Sequence, residues 1–177
     1  MKLIILDRDG VINFDSRNYI RTPDDWIPIP GSLDAIAKLH AAGYTIAVAT
    51  NQSGIARGYY DHDTLSQIHE KMQTMVKENG GHIDKIVYCP HMPDSGCPCR
   101  KPAPGMLLDI AKHYQCSLDG VRMIGDTDKD VGAAQAAGAT PCLVKTHYKP
   151  IPEPQRFTSQ GIPIYANLQS AVSDILT

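Results

Sequence analysis

Aromatic residues are scarce in this chain: Phe, Trp and Tyr make up 6% of 177 residues, and a single one is tryptophan. Long apolar runs are missing as well. No stretch approaches the ~20 apolar residues of a membrane-spanning helix. The first apolar run, Leu3-Ile4-Ile5-Leu6, is shorter than the core of a secretory signal and stops at Asp7-Arg8-Asp9. No membrane partner is expected. Nor does a run of five like charges occur, and a formal net charge of −2 with dispersed basic residues gives no reason to expect nucleic acid. The five cysteines are an odd number, which argues against a disulfide framework. Three of them fall between residues 89 and 99, and in a reducing cytoplasm such crowding suggests metal. The remaining composition, 42% hydrophobic and 20% charged, is that of a soluble protein. One domain spanning 1–177 and a monomer are expected, with roughly two-thirds of the unfolded surface buried on folding.

Short β-branched runs alternate with helical patterns. Lys2–Asp7, Tyr44–Thr50, Lys85–Cys89, Val121–Asp126 and Pro141–Lys145 read as strands, near-continuously apolar as strands covered on both faces tend to be. Between them apolar residues recur at helical spacing. Leu33, Ile36 and Ala37 mark one helix, and Leu65, Ile68, Met72, Met75 and Val76 a longer one. Leu107, Ile110, Ala111 and Tyr114 follow Pro102 and Pro104, which suit a helix start, and Leu168, Ala171, Val172 and Ile175 mark the last helix. Gly43 and Gly138 fit helix C-termini, and Pro150–Pro154 an extended connector. The alternation predicts an α/β fold with a parallel sheet, whose ligands bind beyond the carboxyl ends of the strands. Asp7, Thr50, Cys89 and Asp126 end four of these strands; Lys145 ends the fifth and carries no clear signal.

Asp7 and Asp9 flank an arginine and precede Gly10, where the first strand gives way to a turn. Two carboxylates held close repel unless a cation sits between them, and oxygen donors invite Mg²⁺. A second acidic cluster, Gly125-Asp126-Thr127-Asp128-Lys129-Asp130, also follows an apolar strand; Asp126 would complete the metal's carboxylate set and Asp130 would brace it. Either cluster alone would serve as helix cap and turn former. Together, at strand ends of one sheet, they favour a metal site. Phosphoryl chemistry also needs donors for the equatorial oxygens and a cation. Thr50-Asn51-Gln52-Ser53-Gly54 supplies a hydroxyl, two amides and flexible backbone, and Arg100-Lys101 supplies two cations.

Cys89, His91, Cys97 and Cys99 form the pattern C-x-H-x₅-C-x-C. Cysteines are often just small buried apolar groups, but the intervening Met92-Pro93-Asp94-Ser95-Gly96 is polar and turn-rich. A complete N/S set closes around one structural Zn²⁺ and leaves no open position. Arg100 and Lys101 follow at once, so zinc would fix the loop that presents them. Cys116 and Cys142 have no partner in this pattern, Cys142 reads as strand core, and the other six histidines read as surface or packing residues.

The order Asp-x-Asp-Gly, strand-end Thr, Lys-Pro and Gly-Asp-x-x-x-Asp resembles the four motifs of the haloacid dehalogenase superfamily of phosphatases, over residues 2–145. The resemblance implies a Rossmann-like three-layer sandwich. It implies Asp7 as the nucleophile that becomes aspartyl-phosphate, and Asp9 as the group that protonates the leaving alcohol and then activates water. Thr50 and Lys101 would stabilise the phosphoryl group, while Asp7, the backbone carbonyl of Asp9, and Asp126 would hold Mg²⁺. A carboxylate nucleophile that splits hydrolysis into two easier steps agrees with this. No insertion large enough for a cap domain occurs, so loops should cover the site.

The zinc loop followed by Arg-Lys-Pro is similar to one subgroup of that superfamily, which holds D-glycero-D-manno-heptose 1,7-bisphosphate 7-phosphatases and histidinol-phosphate phosphatases. Thr50–Gly58, with Arg57, and Cys99–Met106 look closer to the heptose enzymes. That resemblance implies a small sugar phosphate as substrate, within ADP- or GDP-heptose biosynthesis. Arg100 is then the candidate for a second phosphate, with Asp15 to Tyr19, Asn51, Gln52 and Ser53 for sugar hydroxyls. A catalytically silent zinc-binding interaction module would show an incomplete motif set, and here every motif is present.

Overall fold

The computed structural model describes residues 1–177. Six parallel strands form one sheet: β1 (Lys2–Leu6), β2 (Tyr44–Asn51), β3 (Lys85–Cys89), β4 (Arg122–Gly125), β5 (Thr140–Val144) and β6 (Ile164–Tyr165), in the order β3-β2-β1-β4-β5-β6. The helices are α1 (Ser32–Ala41), α2 (His62–Glu78), α3 (Gly105–Tyr114), α4 (Asp128–Ala137), α5 (Gln155–Thr158) and α6 (Leu168–Ile175). The alternation of side chains along a strand assigns them to the two faces. Ile4 and Leu6 of β1 pack with α1, α2 and α6 through Ile36, Met72 and Val172. Leu3 and Ile5 point the other way, against Met106 and Ile110 of α3 and Ala134 of α4. Three layers result, and Leu3–Leu6 of β1 are buried between them.

The five predicted strands are present within one residue at each end, but β6 had no counterpart in the sequence reading; at two residues it is too short to show periodicity. Strand β3 lies at the sheet edge and is half-buried for most of its length, not covered on both faces. Gly43 and Gly138 stand where helices end, with φ of 80° and 78°. Pro150–Pro154 does connect β5 to α5, with Pro154 as its N-cap.

Strand order reverses between β1 and β4, the point at which a doubly wound sheet opens a crevice at its carboxyl edge. Asp7 follows β1 and its N–H donates to the carbonyl of Ile124 on β4 at 2.9 Å, so the two acidic segments are joined by backbone at that crevice.

Candidate active site

Lys101 organises the floor of the crevice. Its ammonium, 2% exposed, lies 2.9 Å from Asp7 Oδ1 and 2.7 Å from Asp130 Oδ1, and donates to the carbonyl of Ala49 at 2.8 Å. Burial alone would strip its proton, but the charges of Asp130 and Asp7 hold its affinity above that of an ordinary lysine. Asp130 Oδ2 accepts from the N–H groups of Asp126 and Thr127 and from the Thr127 hydroxyl, each at 3.1 Å. It is therefore both the N3 member of the capping box of α4 and the brace of the acidic turn. Burial would raise its pKa, yet Lys101 and these donors keep it below the usual range.

Asp7 and Asp126 are not so compensated. Burial, then the neighbouring charge of Asp130, pushes both well above the ordinary carboxylate range, with Lys101 opposing. Donor oxygens of Asp7, Asp126 and Asp130 lie within 4.8 Å of one another around a single ammonium. That surplus of buried negative charge, with only oxygen donors, fits a hard divalent cation such as Mg²⁺.

Asp9 sits beside them in a different environment. Arg8, fully buried, grips its Oδ1 through Nε at 3.0 Å and a terminal nitrogen at 2.7 Å, and Asn13 Nδ2 donates to the same oxygen at 2.9 Å. Burial raises its pKa, but Arg8, Asn13 and Gln52 together bring it below the ordinary value. The other terminal nitrogen of Arg8 is 3.1 Å from Nε2 of His69, whose pKa is lowered to about 3 by burial and by Arg8 itself. His69 is thus neutral and accepts from the guanidinium.

Thr50 is buried at the end of β2, where Gln52 Nε2 donates to its Oγ1 at 2.9 Å and to Asp9 Oδ2 at 3.0 Å. Tyr60 donates to Gln52 Oε1 at 2.5 Å, close against Gly54, where any Cβ would meet the Tyr60 ring. Asn51 exchanges two hydrogen bonds with the backbone of Lys101, at 3.0 and 3.1 Å. Both amides expected at sugar hydroxyls are therefore engaged within the protein: Gln52 aligns Thr50 with Asp9, and Asn51 holds the lysine loop in place. Asp15, Tyr19, Ser53, Arg57 and Arg100 line the cleft above, about 530 Å³ in volume, with Ser53 accepting from Arg57 at 3.3 Å.

The cleft also gathers Arg17 and Lys129, which lie within segments the sequence pointed to but had no role there, and Tyr148 and Lys149, which it did not point to. None of Arg17, Arg57, Arg100, Lys129 and Lys149 is paired with a carboxylate. Dispersed in sequence, the cations converge in space. His147, expected at the surface or in packing, instead faces Asp126, with Nδ1 2.6 Å from Oδ2. No sequence signal marked it, because its partner Asp126 lies 21 positions away. His69 was likewise invisible, since its partner Arg8 lies 61 positions away.

At the end of β3, the sulfurs of Cys89, Cys97 and Cys99 and Nδ1 of His91 converge. Cys97 Sγ lies 3.6 Å from each of the other two sulfurs, the Cys89–Cys99 pair is 2.8 Å apart, and His91 Nδ1 is 3.5 and 3.2 Å from Cys89 and Cys99. Ligands at ~2.0–2.3 Å from a tetrahedral ion stand roughly 3.5–3.8 Å apart, so the set matches Zn²⁺ in donor type and in most spacings, and the Cys89–Cys99 pair would open by about 1 Å to admit the ion. The Ser95 hydroxyl lowers the Cys97 pKa to about 6, toward the thiolate a metal needs, whereas burial pushes Cys99 up to about 12. Cys116 and Cys142 stand outside the cluster, Cys142 buried on β5.

A family model described as HAD-hydrolase-like matches residues 98–169. The chain is 58% identical to the D-glycero-beta-D-manno-heptose-1,7-bisphosphate 7-phosphatase of Pseudomonas putida over 163 residues, covering 92% of this chain and 90% of that protein. It is 52% identical to the protein of the same name from Pseudomonas aeruginosa, covering 98% and 97%. In three dimensions it superposes on the crystal structure of D,D-heptose 1,7-bisphosphate phosphatase from B. bronchiseptica complexed with magnesium and phosphate. The TM-score is 0.91 at 46% identity, with 99% and 98% of the two chains covered.

Proposed function

Because the chain belongs to the family of the D-glycero-β-D-manno-heptose-1,7-bisphosphate 7-phosphatases, within the haloacid dehalogenase superfamily, we infer that it hydrolyses the 7-phosphate of that sugar bisphosphate. The β anomer follows the relatives' names. The observation that carries the chemistry is a buried carboxylate, Asp7, in contact with a buried ammonium, Lys101, beneath a rim of unpaired cations. A histidinol-phosphate substrate is not favoured, since the matched relatives carry the heptose name.

Asp7 attacks phosphorus, and the bond from phosphorus to the sugar's O7 breaks as the aspartyl-phosphate forms. Lys101 and the Thr50 hydroxyl hold the equatorial oxygens, and the permanent charge of Lys101 matches the charge on the transferring group. Asp9 delivers a proton to O7; the arriving phosphate, a second anion, raises its affinity for that proton against the pull of Arg8. Asp9, now a carboxylate, takes a proton from water as the water attacks phosphorus. The bond to Asp7 breaks, and free phosphate and the original Asp7 remain. Asp7, Asp126 and the backbone carbonyl of Asp9 would hold Mg²⁺, which would supply positive charge to the phosphoryl oxygens. Asp130 acts on this set from behind, through the backbone of Asp126 and the ammonium of Lys101.

Arg100, with Arg17, Arg57, Lys129 and Lys149, offers charge to the remaining phosphate, and Asp15, Tyr19 and Ser53 offer polar groups to the sugar. Cys89, His91, Cys97 and Cys99 would hold a structural Zn²⁺, which would fix the Arg100–Lys101 segment against the cleft. Free thiols in this arrangement need a reducing compartment, and we place the protein in the cytoplasm. No helix is long and apolar enough to cross a membrane. We read the chain as one domain, because all six strands belong to one sheet, and as a monomer.

The test is kcat/KM on the heptose 1,7-bisphosphate, fructose 1,6-bisphosphate and L-histidinol phosphate. The heptose bisphosphate should lead by at least about 100-fold, well within the ~10⁴–10⁵ by which a site built for polar groups can reject substrates that leave them unpaired. A lead for histidinol phosphate would overturn the substrate while leaving the aspartyl-phosphate chemistry in place.

A further inference from the structure

Each carboxylate of the floor is held by more than one protein group except one. Asp7 has Lys101 and the N–H of Arg8; Asp9 has Arg8, Asn13 and Gln52; Asp130 has Lys101 and Thr127. The only hydrogen bond that reaches the carboxylate of Asp126 comes from His147, at 2.6 Å. As a metal ligand Asp126 must be ionised, and in that state Nδ1–H of the imidazole is the donor.

Contacts on the other side of the same oxygen complete the arrangement. Asp126 Oδ2 lies so close to Gly10 that a Cβ on that glycine would stand 2.0 Å away. Oδ2 is thus held between the backbone of the nucleophile loop and the imidazole, and Oδ1 is left without a protein partner. The loop that carries His147 is itself tied to the nucleophile loop, because the Thr146 hydroxyl donates to the Gly10 carbonyl at 2.6 Å. His147 also lies 3.5 Å from Asp15, on the loop that follows the nucleophile, and its ring packs on Tyr148 at 4.3 Å between centroids.

We propose that His147 is a positioning residue for the cation of this site: by fixing Oδ2 of Asp126 it presents Oδ1 to the ion. The inference rests on the reading of Asp126 as a ligand. Physically, a free carboxylate rotates about its terminal bond and loses orientational entropy on binding, whereas one already held by a second group does not. The segment after β5 then acts as a fifth functional segment of the crevice, beside those after β1, β2, β3 and β4. Its two anchors, Thr146 to Gly10 and His147 to Asp126, both cross to elements distant in sequence.

Mg²⁺ binding measured by calorimetry without substrate tests this on the intact protein. His147→Ala should raise the Mg²⁺ dissociation constant at least about tenfold, the effect of removing an outer partner of a ligand. Asn places its amide nitrogen where Nδ1 stands and Gln does not, so His147→Asn should stay within about threefold of the native value while His147→Gln resembles the alanine variant. The Asn–Gln comparison still decides if the alanine variant fails to fold. Asp126→Asn is the companion measurement. If it abolishes binding while His147→Ala stays within about twofold of native, His147 does not position the ligand and the proposal falls alone. If Asp126→Asn leaves binding unchanged, the reading of Asp126 as a ligand falls, and the role of His147 with it. Equal weakening by Asn and Gln would also overturn the proposal, because packing rather than the donor would then be responsible.

Discussion

At Gly10 backbone conformation and metal chemistry meet in one residue. Its φ of +78° is in the left-handed region, and the space where a side chain would begin is already occupied by Asp126 Oδ2. Gly10→Ala therefore carries a backbone penalty of about 1–2 kcal/mol and also displaces a carboxylate proposed to hold Mg²⁺. The expected outcome is a fall in kcat/KM of at least about 100-fold with weakened Mg²⁺ binding, measured together; about 2.7 kcal/mol of transition-state stabilisation corresponds to that loss. Residues at this scale were legible where chemistry clusters along the chain. Asp7, Asp9, Asp126 and Asp130 announce themselves by spacing, and they do share one crevice. Arg8 was given no role in the sequence reading, although it is fully buried and grips Asp9. Asn51 and Gln52 were noticed for the right reason, free amides near a strand end, but their hydrogen-bonding capacity is used inside the protein.

Among elements, α4 shows how local and global roles coincide. Its capping box, Thr127 with Asp130, forms the helix start that any reader of helix signals would recognise. The same Asp130 carboxylate neutralises Lys101, so the choice between helix cap and site residue was never exclusive. The β3 end couples differently. Cys89 closes the strand, Cys97 and Cys99 return to it, and Arg100 and Lys101 follow without a break. Removing one ligand should loosen the segment that carries the buried ammonium. Cys97→Ser is expected to lower bound zinc from about one ion per chain to near zero, with a lower Tm and at least about tenfold lower kcat/KM. Metal analysis, a thermal melt and an activity assay on the same preparation check it. Loss of zinc with unchanged kinetics would separate the ion from the lysine loop. The strand β6 was missed for want of length, and β3 was mistaken for a covered strand because an apolar run looks alike at the edge and in the middle of a sheet.

For the whole molecule, charge is distributed against its average. The chain carries a formal net charge of −2, yet its cleft is rimmed by Arg17, Arg57, Arg100, Lys129 and Lys149. An open cleft of this sign should draw a bisphosphate more strongly than a monophosphate. Raising salt from about 0.02 to 0.3 M shortens the screening length from roughly 20 Å to under 10 Å. KM for the bisphosphate should then rise severalfold, with kcat changed less than twofold, and a sugar monophosphate should respond more weakly. Steady-state kinetics across a salt series would show it; equal responses of the two substrates would mean that the rim does not read the second phosphate.

By itself the sequence determined the strand–helix alternation, hence the parallel sheet, and the acidic and cysteine clusters whose members are neighbours in the chain. Hydrophobic period and local motif are short-range properties, so they survive in one dimension. Only the tertiary structure decided that His147 faces Asp126, that His69 supports Arg8, and that five scattered cations form one rim. The reason is topological. The crevice forms at the carboxyl edge between the paired strands β1 and β4, where the strand order reverses, and it collects residues from loops far apart in the chain. Their pairings depend on packing between elements, which no local spacing encodes.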